Sequence, residues 1–289
     1  MLICGRPVTA VVRYRTETKT IMRVAAIYDI HGNLPALEAV LVDLRREDVD
    51  MVVVGGDVFP GPMPAETLAC LLNLDVPVTF IRGNGDREVL ARMLGTETEW
   101  YCSATEQWRR PIRWSAEQLR TQDGSQLAAW PSTCRLRLDG FGDVLFCHAT
   151  PRNDTEIFTR LTAVEQLLPV FEPHNVPVVV CGHTHMQFDR RVGQTRVVNA
   201  GSVGMPFGQP GAYWILLGSE VEFRRTEYDL DGAVRRVSAT HYPDAEQFAR
   251  RHILCPPTEE ETLATFNRVE LRTEQSGPSK SPKLRFLNP

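Results

Sequence analysis

Two residue types that bind divalent cations, Asp29 and His31, stand two positions apart, and His183 and His185 repeat the spacing with two histidines. In extended backbone, residues i and i+2 face the same way, so each pair can offer two donors to one ion. Further donors follow glycines at Asp57 (Gly55-Gly56-Asp57) and at Asn84 and Asp86 (Gly83-Asn84-Gly85-Asp86), and His148 follows Cys147. Oxygen and nitrogen donors without thiolates suit manganese, iron or zinc better than copper(I). Two cations about 3.5–4 Å apart, as in two-metal hydrolytic sites, need a shared anion, and Asp57 is the natural candidate. Each segment alone is weak: Asp-x-His is usually a surface turn, Gly-Asp is commonplace, and a lone Asn84 reads as a turn residue. The weight lies in the conjunction, because four of the seven histidines fall in these segments.

Something must bring the segments together. Each follows a predicted strand, over residues 24–28, 51–54, 76–82, 144–147 and 176–181. Between the early strands lie predicted helices at 34–45, where Leu37, Val40, Leu41 and Leu44 form one apolar stripe, and at 65–72. Continuous apolar strands alternating with helices predict a parallel sheet covered on both faces. In such sheets ligands gather outside the carboxyl ends of the strands, which is where all five segments stand. Residues 87–130 read as a helical insertion; they hold Trp100, Trp108, Trp114 and Trp130, four of the five tryptophans. The later part predicts a hairpin around Asp139-Gly140-Phe141-Gly142, a helix at 163–171, strands at 195–199, 213–217 and 221–225, and a helix at 245–251.

Composition excludes several classes. The 289 residues are 43% hydrophobic and 24% charged with a net charge of -4, which does not fit a general nucleic-acid binder. No apolar run is long enough to cross a membrane. Residues 1–21 lack the apolar stretch of a secretory signal and are expected to be a disordered extension, with Met22 as an alternative start. The main domain is expected over 22–255 and a C-terminal segment over 256–289, disordered from about 273. Seven cysteines without a CxxC pair predict reduced thiols and a cytoplasmic protein.

The motif order D-x-H, G-D, G-N-x-D, a lone H and G-H-x-H resembles that of the calcineurin-like metallophosphoesterase superfamily over roughly residues 22–230. Asn199-Ala200-Gly201-Ser202-Val203-Gly204 resembles a loop of its small bacterial and archaeal phosphodiesterase branch. The resemblance implies a four-layer α/β/β/α sandwich. It implies one divalent ion on Asp29, His31, Asp57 and His185, and a second on Asp57, Asn84, His148 and His183. Manganese is the expected metal, with iron, zinc or nickel as alternatives. The implied reaction is hydrolysis of a small phosphate ester, with a nucleotide among the candidates, by a hydroxide activated between two metals. Asn84 and His148 also carry catalytic roles in that expectation.

Two residues depart from the family pattern. Tyr28 stands where a small residue is frequent. Gly85 stands where many members carry a histidine credited with protonating the leaving group. The phosphodiesterase branch also lacks that histidine, so a phosphodiesterase is expected, with a phosphomonoesterase (nucleotidase or protein phosphatase) and a metal-bearing scaffold as alternatives. On this reading Gly85→His should raise monoester over diester hydrolysis. Arg152 and His174 are further candidates for substrate contact, and Arg82 and Arg87 neighbour the motifs. His241 and His252 read as peripheral.

Overall fold

The computed structural model describes residues 21–267 and residue 271. In chain order it runs β1 (Val24–Ile27), α1 (Leu34–Arg46), β2 (Met51–Val54), α2 (Pro64–Leu72), β3 (Val78–Phe80) and α3 (Asn84–Met93). Next come α4 (Glu99–Ser103), α5 (Glu106–Gln118), α6 (Thr121–Ala129), β4 (Thr133–Leu138), β5 (Gly142–Cys147) and α7 (Val164–Phe171), which ends in a 3-10 turn over Glu172–His174. The chain continues with β6 (Val178–Cys181), β7 (Phe188–Val192), β8 (Thr195–Asn199), β9 (Ala212–Leu217), β10 (Val221–Thr226) and α8 (Leu230–Ser238). It closes with α9 (Ala245–Phe248), a π-helical turn over Ala249–Leu254, and α10 (Glu259–Phe266).

There are two sheets, ordered β10-β9-β1-β2-β3 and β4-β5-β6-β8-β7. The layering follows from the two-residue period of the strands. In β1, Ala25 and Ile27 face a core shared with α1, α2 and the insertion. Val24, Ala26 and then Tyr28 face the other way, onto Phe146, Val180 and Val198 of the second sheet. Leu145, Cys147, Val179 and Cys181 point out of the second sheet onto Leu167, Val170 and Phe171 of α7. Helix, sheet, sheet, helix is the four-layer sandwich that the motifs imply.

Both sheets are mixed, where the apolar runs alone suggest a purely parallel one. β1, β2 and β3 are parallel, but β9 joins β1 and β10 joins β9 antiparallel. The second sheet repeats the plan, with β5, β6 and β8 parallel and β4 and β7 antiparallel at its edges. A run buried on both faces looks alike whichever way its neighbour travels, so apolarity does not report strand direction.

Helix α1 begins as its sequence dictates. Asn33 caps it by accepting from the Ala36 N–H, and Pro35 occupies its first turn. Tyr28 fits because two glycines yield to it: a β-carbon on Gly55 would lie 1.9 Å from its ring, and one on Gly182 would lie 2.5 Å away. Its hydroxyl donates to the Val180 carbonyl across the sheet interface. The insertion forms α4, α5 and α6 after α3. Trp130 is buried there and stacks on Phe80 at 4.7 Å, whereas Trp100 and Trp108 are exposed. Among the described residues no helix is long and apolar enough to cross a membrane. The expectations for residues 1–20 and for the tail from 273 lie outside the described residues.

Candidate metal centre

The five segments converge. Asp29 and His31 follow β1, Asp57 follows β2, and Asn84 opens α3 just after β3. His148 follows β5, and His183 and His185 follow β6. Two trios of donors result: Asp29, His31 and His185, and Asp57, His148 and His183. Within each trio the donor atoms all lie within 4.8 Å of one another. Asp57 Oδ2 joins them, at 3.7 Å from His31 Nε2 and 3.5 Å from His148 Nε2.

The backbone is bent to achieve this. Asp29, His31, Asp57, His183 and His185 all have positive φ, between 47° and 66°. Non-glycine residues seldom enter this left-handed region, and each such residue costs on the order of 1–3 kcal/mol unless its surroundings enforce it. Five donors in that state imply that the fold spends stability on aiming them.

The imidazoles are oriented by main-chain carbonyls. His31 Nδ1 lies 3.2 Å from Pro60 O, His148 Nδ1 3.0 Å from Gly55 O, and His185 Nδ1 2.7 Å from Met205 O. A carbonyl can only accept, so each Nδ1 carries a proton, and each ring, once neutral, turns its Nε2 lone pair inward. This is the usual outer shell of a metal-binding histidine. The carboxylates are held as well. Asp29 Oδ2 accepts from the His183 N–H at 2.8 Å, and Asp57 Oδ1 accepts from the Gly85 N–H at 2.7 Å.

What remains open fits cations. Asp29 Oδ1 is buried without a hydrogen-bond partner. One end of the Asn84 amide faces His148 Nε2 at 3.0 Å and also His183 Nδ1 and the Asp154 carbonyl at 3.1 Å each. With the amide oxygen at that end, several lone pairs confront one another, a conflict that a cation among them resolves. The donor set is all oxygen and imidazole nitrogen, right for manganese, iron or zinc.

Charge has the same tendency. Burial alone would raise Asp29, but His185 beside it brings it below the ordinary carboxylate range. Burial likewise opposes ionisation of Asp57, and the His148 charge overcomes it. His148 is pulled down by burial, yet Asp57 and then Asp29 raise it to about 10. His183 falls to about 4 through burial and the neighbouring His148. A proton on His148 thus takes the place of positive charge, and metal binding must expel it.

Asp86, the other metal-capable group after β3, turns away from the trios. Its carboxylate accepts from the N–H groups of Asp57, Phe59 and Gly83 at 2.9, 3.0 and 2.9 Å. Burial and then Asp57 raise it to about 8. It positions the two loops that carry Asp57 and Asn84. The sequence shows the residue but not this role, because the role depends on where two distant loops meet.

Of the two candidates for substrate contact, Arg152 is already paired and His174 stands away from the centre. Arg152 is held by Glu156, with Nη2–Oε1 at 2.7 Å and Nε–Oε1 at 2.9 Å. His174 lies in the turn that precedes β6, at the opposite end of that strand from His183, and its carbonyl accepts from Arg135. A loop entering a strand cannot reach the edge where the strand leaves. Arg87 pairs with Asp154 at 2.9 Å and with Glu88 at 2.7 Å. His252, read from sequence as peripheral, is brought down to about 3 by burial first and then by His185 and His31.

The C-terminal segment reaches this flank. Phe207 stacks on the His185 ring at 5.5 Å, and Phe266 of α10 packs edge-on against Phe207. Leu263 and Phe266 are buried against Met186. A chain ending at residue 258 should therefore lose stability, because burying two large apolar side chains contributes about 1.5–3 kcal/mol each. One ending at residue 272 should not. Thermal melts of the two truncations check this; equal melting temperatures would show that α10 adds nothing.

Comparison with known proteins agrees with the geometry. Residues 22–220 match the calcineurin-like phosphoesterase superfamily domain. An uncharacterized protein of Methanocaldococcus jannaschii is 26% identical over 241 residues, which is 76% of this chain and 94% of that protein. The crystal structure of a metallophosphoesterase from Sphaerobacter thermophilus superposes with a TM-score of 0.63 at 25% identity, covering 80% of this chain and 97% of that one. A hypothetical protein from Pyrococcus horikoshii OT3 shares the fold with a TM-score of 0.69 at 19% identity, covering 82% and 100%. With two donor trios at the strand ends and a family match over residues 22–220, the chain belongs to the calcineurin-like phosphoesterase superfamily, which makes it a hydrolase acting on phosphate esters.

Proposed function

We propose that the protein is a phosphodiesterase working with two divalent cations, manganese foremost. Asp29, His31 and His185 would hold one, Asn84, His148 and His183 the other, and Asp57 both. The position of Asp57 Oδ2 between the trios carries the two-ion reading. When bound, such ions supply positive charge at phosphorus and acidify water. The chain's own part is to hold the donors in strained, carbonyl-anchored positions. The Asn84 amide sits where it can also face a phosphoryl oxygen.

Preference for diesters rests on charge. A monoester brings a second negative charge at neutral pH and benefits from extra cationic donors. Here Arg87 and Arg152 are already neutralised by Asp154, Glu88 and Glu156. Position 85, where many relatives carry an imidazole, has a glycine whose backbone is locked onto Asp57. A small diester is therefore the favoured substrate class, with nucleotide-like esters in the first screen. The cysteines among the described residues are all free, which supports a reducing, cytoplasmic setting.

The decisive measurement is the ratio of kcat/KM for matched aryl diesters and monoesters at fixed manganese. At least a tenfold preference for the diester is expected. A strong monoester preference would make the protein a phosphatase, and metal-loaded protein inert to both would favour a scaffold.

A further inference from the structure

The loop that leaves β5 after His148 is braced against α3. Its shape is set partly within itself. Thr150 and Asn153 exchange main-chain hydrogen bonds at 3.0 and 3.3 Å, and Asn153 Oδ1 accepts from the Thr155 N–H at 2.7 Å. The Arg87 guanidinium then grips Asp154 with two bonds, Nε–Oδ2 at 2.9 Å and Nη2–Oδ1 at 3.2 Å, while its Nη1 bonds Glu88 at 2.7 Å. Arg87 lies on the same helix as Asn84, in the first turn after it. One helix therefore supplies the Asn84 amide and also anchors the loop that approaches it.

This ion pair fixes a main-chain atom as well as a side chain. The Asp154 carbonyl oxygen lies 3.1 Å from the end of the Asn84 amide that also faces His148 Nε2 at 3.0 Å and His183 Nδ1 at 3.1 Å. Among the described residues no main-chain N–H donates to that carbonyl. Neither placing of the amide satisfies the group by itself. An amide nitrogen there has two hydrogens for three acceptors. An amide oxygen there faces another carbonyl oxygen, and neither has a proton to share. The spacings suit a cation instead: neighbouring donors of an octahedral site with ligands at about 2.1 Å stand about 3.0 Å apart.

We propose that the main-chain carbonyl of Asp154 is a further ligand of the ion held by Asn84, His148 and His183, kept in place by the Arg87–Asp154 pair. The assignment rests on the two-ion reading and extends it. No motif marks this donor, because every residue carries a carbonyl; only the meeting of the loop with α3 selects this one. It gives the second ion one more protein donor than the first. An added neutral, hard oxygen suits an octahedral ion such as manganese better than zinc, which favours four ligands in a tetrahedron.

Asp154-Thr155 is the one Asp-Thr step of the sequence, so protein grown with carbonyl-labelled aspartate and nitrogen-labelled threonine reports this peptide alone by NMR. Titrated with cadmium, a diamagnetic divalent ion, its carbonyl carbon should move downfield as the ions load. An unmoved resonance with both ions bound would overturn the ligand. Manganese calorimetry on wild type, Asp154→Ala and Asp154→Asn then tests the anchor. Asp154→Ala should bind the second ion about 10–100-fold more weakly, with the first ion's affinity and the metal-free melting temperature little changed, since a partly exposed ion pair adds little to folding. Asp154→Asn loses the same charge but keeps an acceptor for Arg87, so it should retain most of the affinity. Equal losses in the two variants, or none in either, would overturn the anchoring role. A chain that takes up a single ion would sink the two-ion reading, and the carbonyl still decides: a shift on loading supports Asp154 and none overturns it. Protein that binds no ion would overturn both.

Discussion

Asp57→Ala should leave the protein with one bound divalent ion or none, and without measurable turnover. The carboxylate stands between the trios, within 3.7 Å of one Nε2 and 3.5 Å of another, and its second oxygen is fixed by the Gly85 N–H. Asp29 Oδ1 comes next, at 3.3 Å from His185 Nε2 and 3.9 Å from His148 Nε2. Losing an outer-shell partner of a metal site costs about 10–100-fold; losing the shared ligand should exceed that, at above about 10³-fold in kcat/KM. Metal analysis after gel filtration and the diester assay read both effects. Asp57→Asn keeps an acceptor for Gly85 and separates loss of charge from loss of packing. His241→Ala, at an exposed position, is the control and should alter neither. Two full equivalents of metal on Asp57→Ala would remove the shared-ligand role.

The second large effect is expected at Gly85, in the opposite direction from the one the sequence suggests. By family pattern, Gly85→His should restore a proton donor. The structure leaves no room even for a methyl group: Phe59 O, Pro60 Cδ and Asp57 Oδ1 would lie 2.3, 2.9 and 3.1 Å from it. Two of these are parts of the loop backbone or its proline ring, which cannot step aside as a flexible side chain would. Overpacking costs typically about 1–3 kcal/mol, and here the shift would also break the Gly85–Asp57 hydrogen bond. Both Gly85→Ala and Gly85→His should therefore lower the melting temperature by roughly 3–10 °C and weaken metal binding together. Neither should gain monoesterase activity. Calorimetric melts with and without manganese test this, and a stable, metal-replete Gly85→His with raised monoester turnover would refute the steric argument.

These two residues show what the sequence could and could not convey. Types and order were enough to place Asp29, His31, Asp57, Asn84, His148, His183 and His185 after strands, since ligand chemistry and strand apolarity are local properties. The hairpin around Gly140 and the cap at Asn33 are legible for the same reason. Strand direction was not, because β9 carries the same apolar run whether parallel or antiparallel to β1. Gly85 was visible as a missing histidine, but the nearness of Phe59 O arises from two loops meeting 26 positions apart. His174 seemed close to the motifs in the chain, yet it enters the strand from which His183 emerges. Helix α10 was undervalued because its apolar residues are few. Phe266 matters through Phe207, which belongs to a distant part of the chain.

The division of donors between the two sheets has a consequence for how the chain is made. The first sheet's loops supply both carboxylates, the Asn84 amide and a single imidazole, His31; the side chains supplied by the second sheet's loops are those of His148, His183 and His185. Synthesis proceeds from the N-terminus, so the oxygen-rich half emerges roughly a hundred residues before β6 brings the last two nitrogens. A nascent chain at that stage has acidic groups but too few partners to retain a transition ion. Capture of the pair must wait until the second half has docked, which makes loading with metal a late checkpoint on correct assembly.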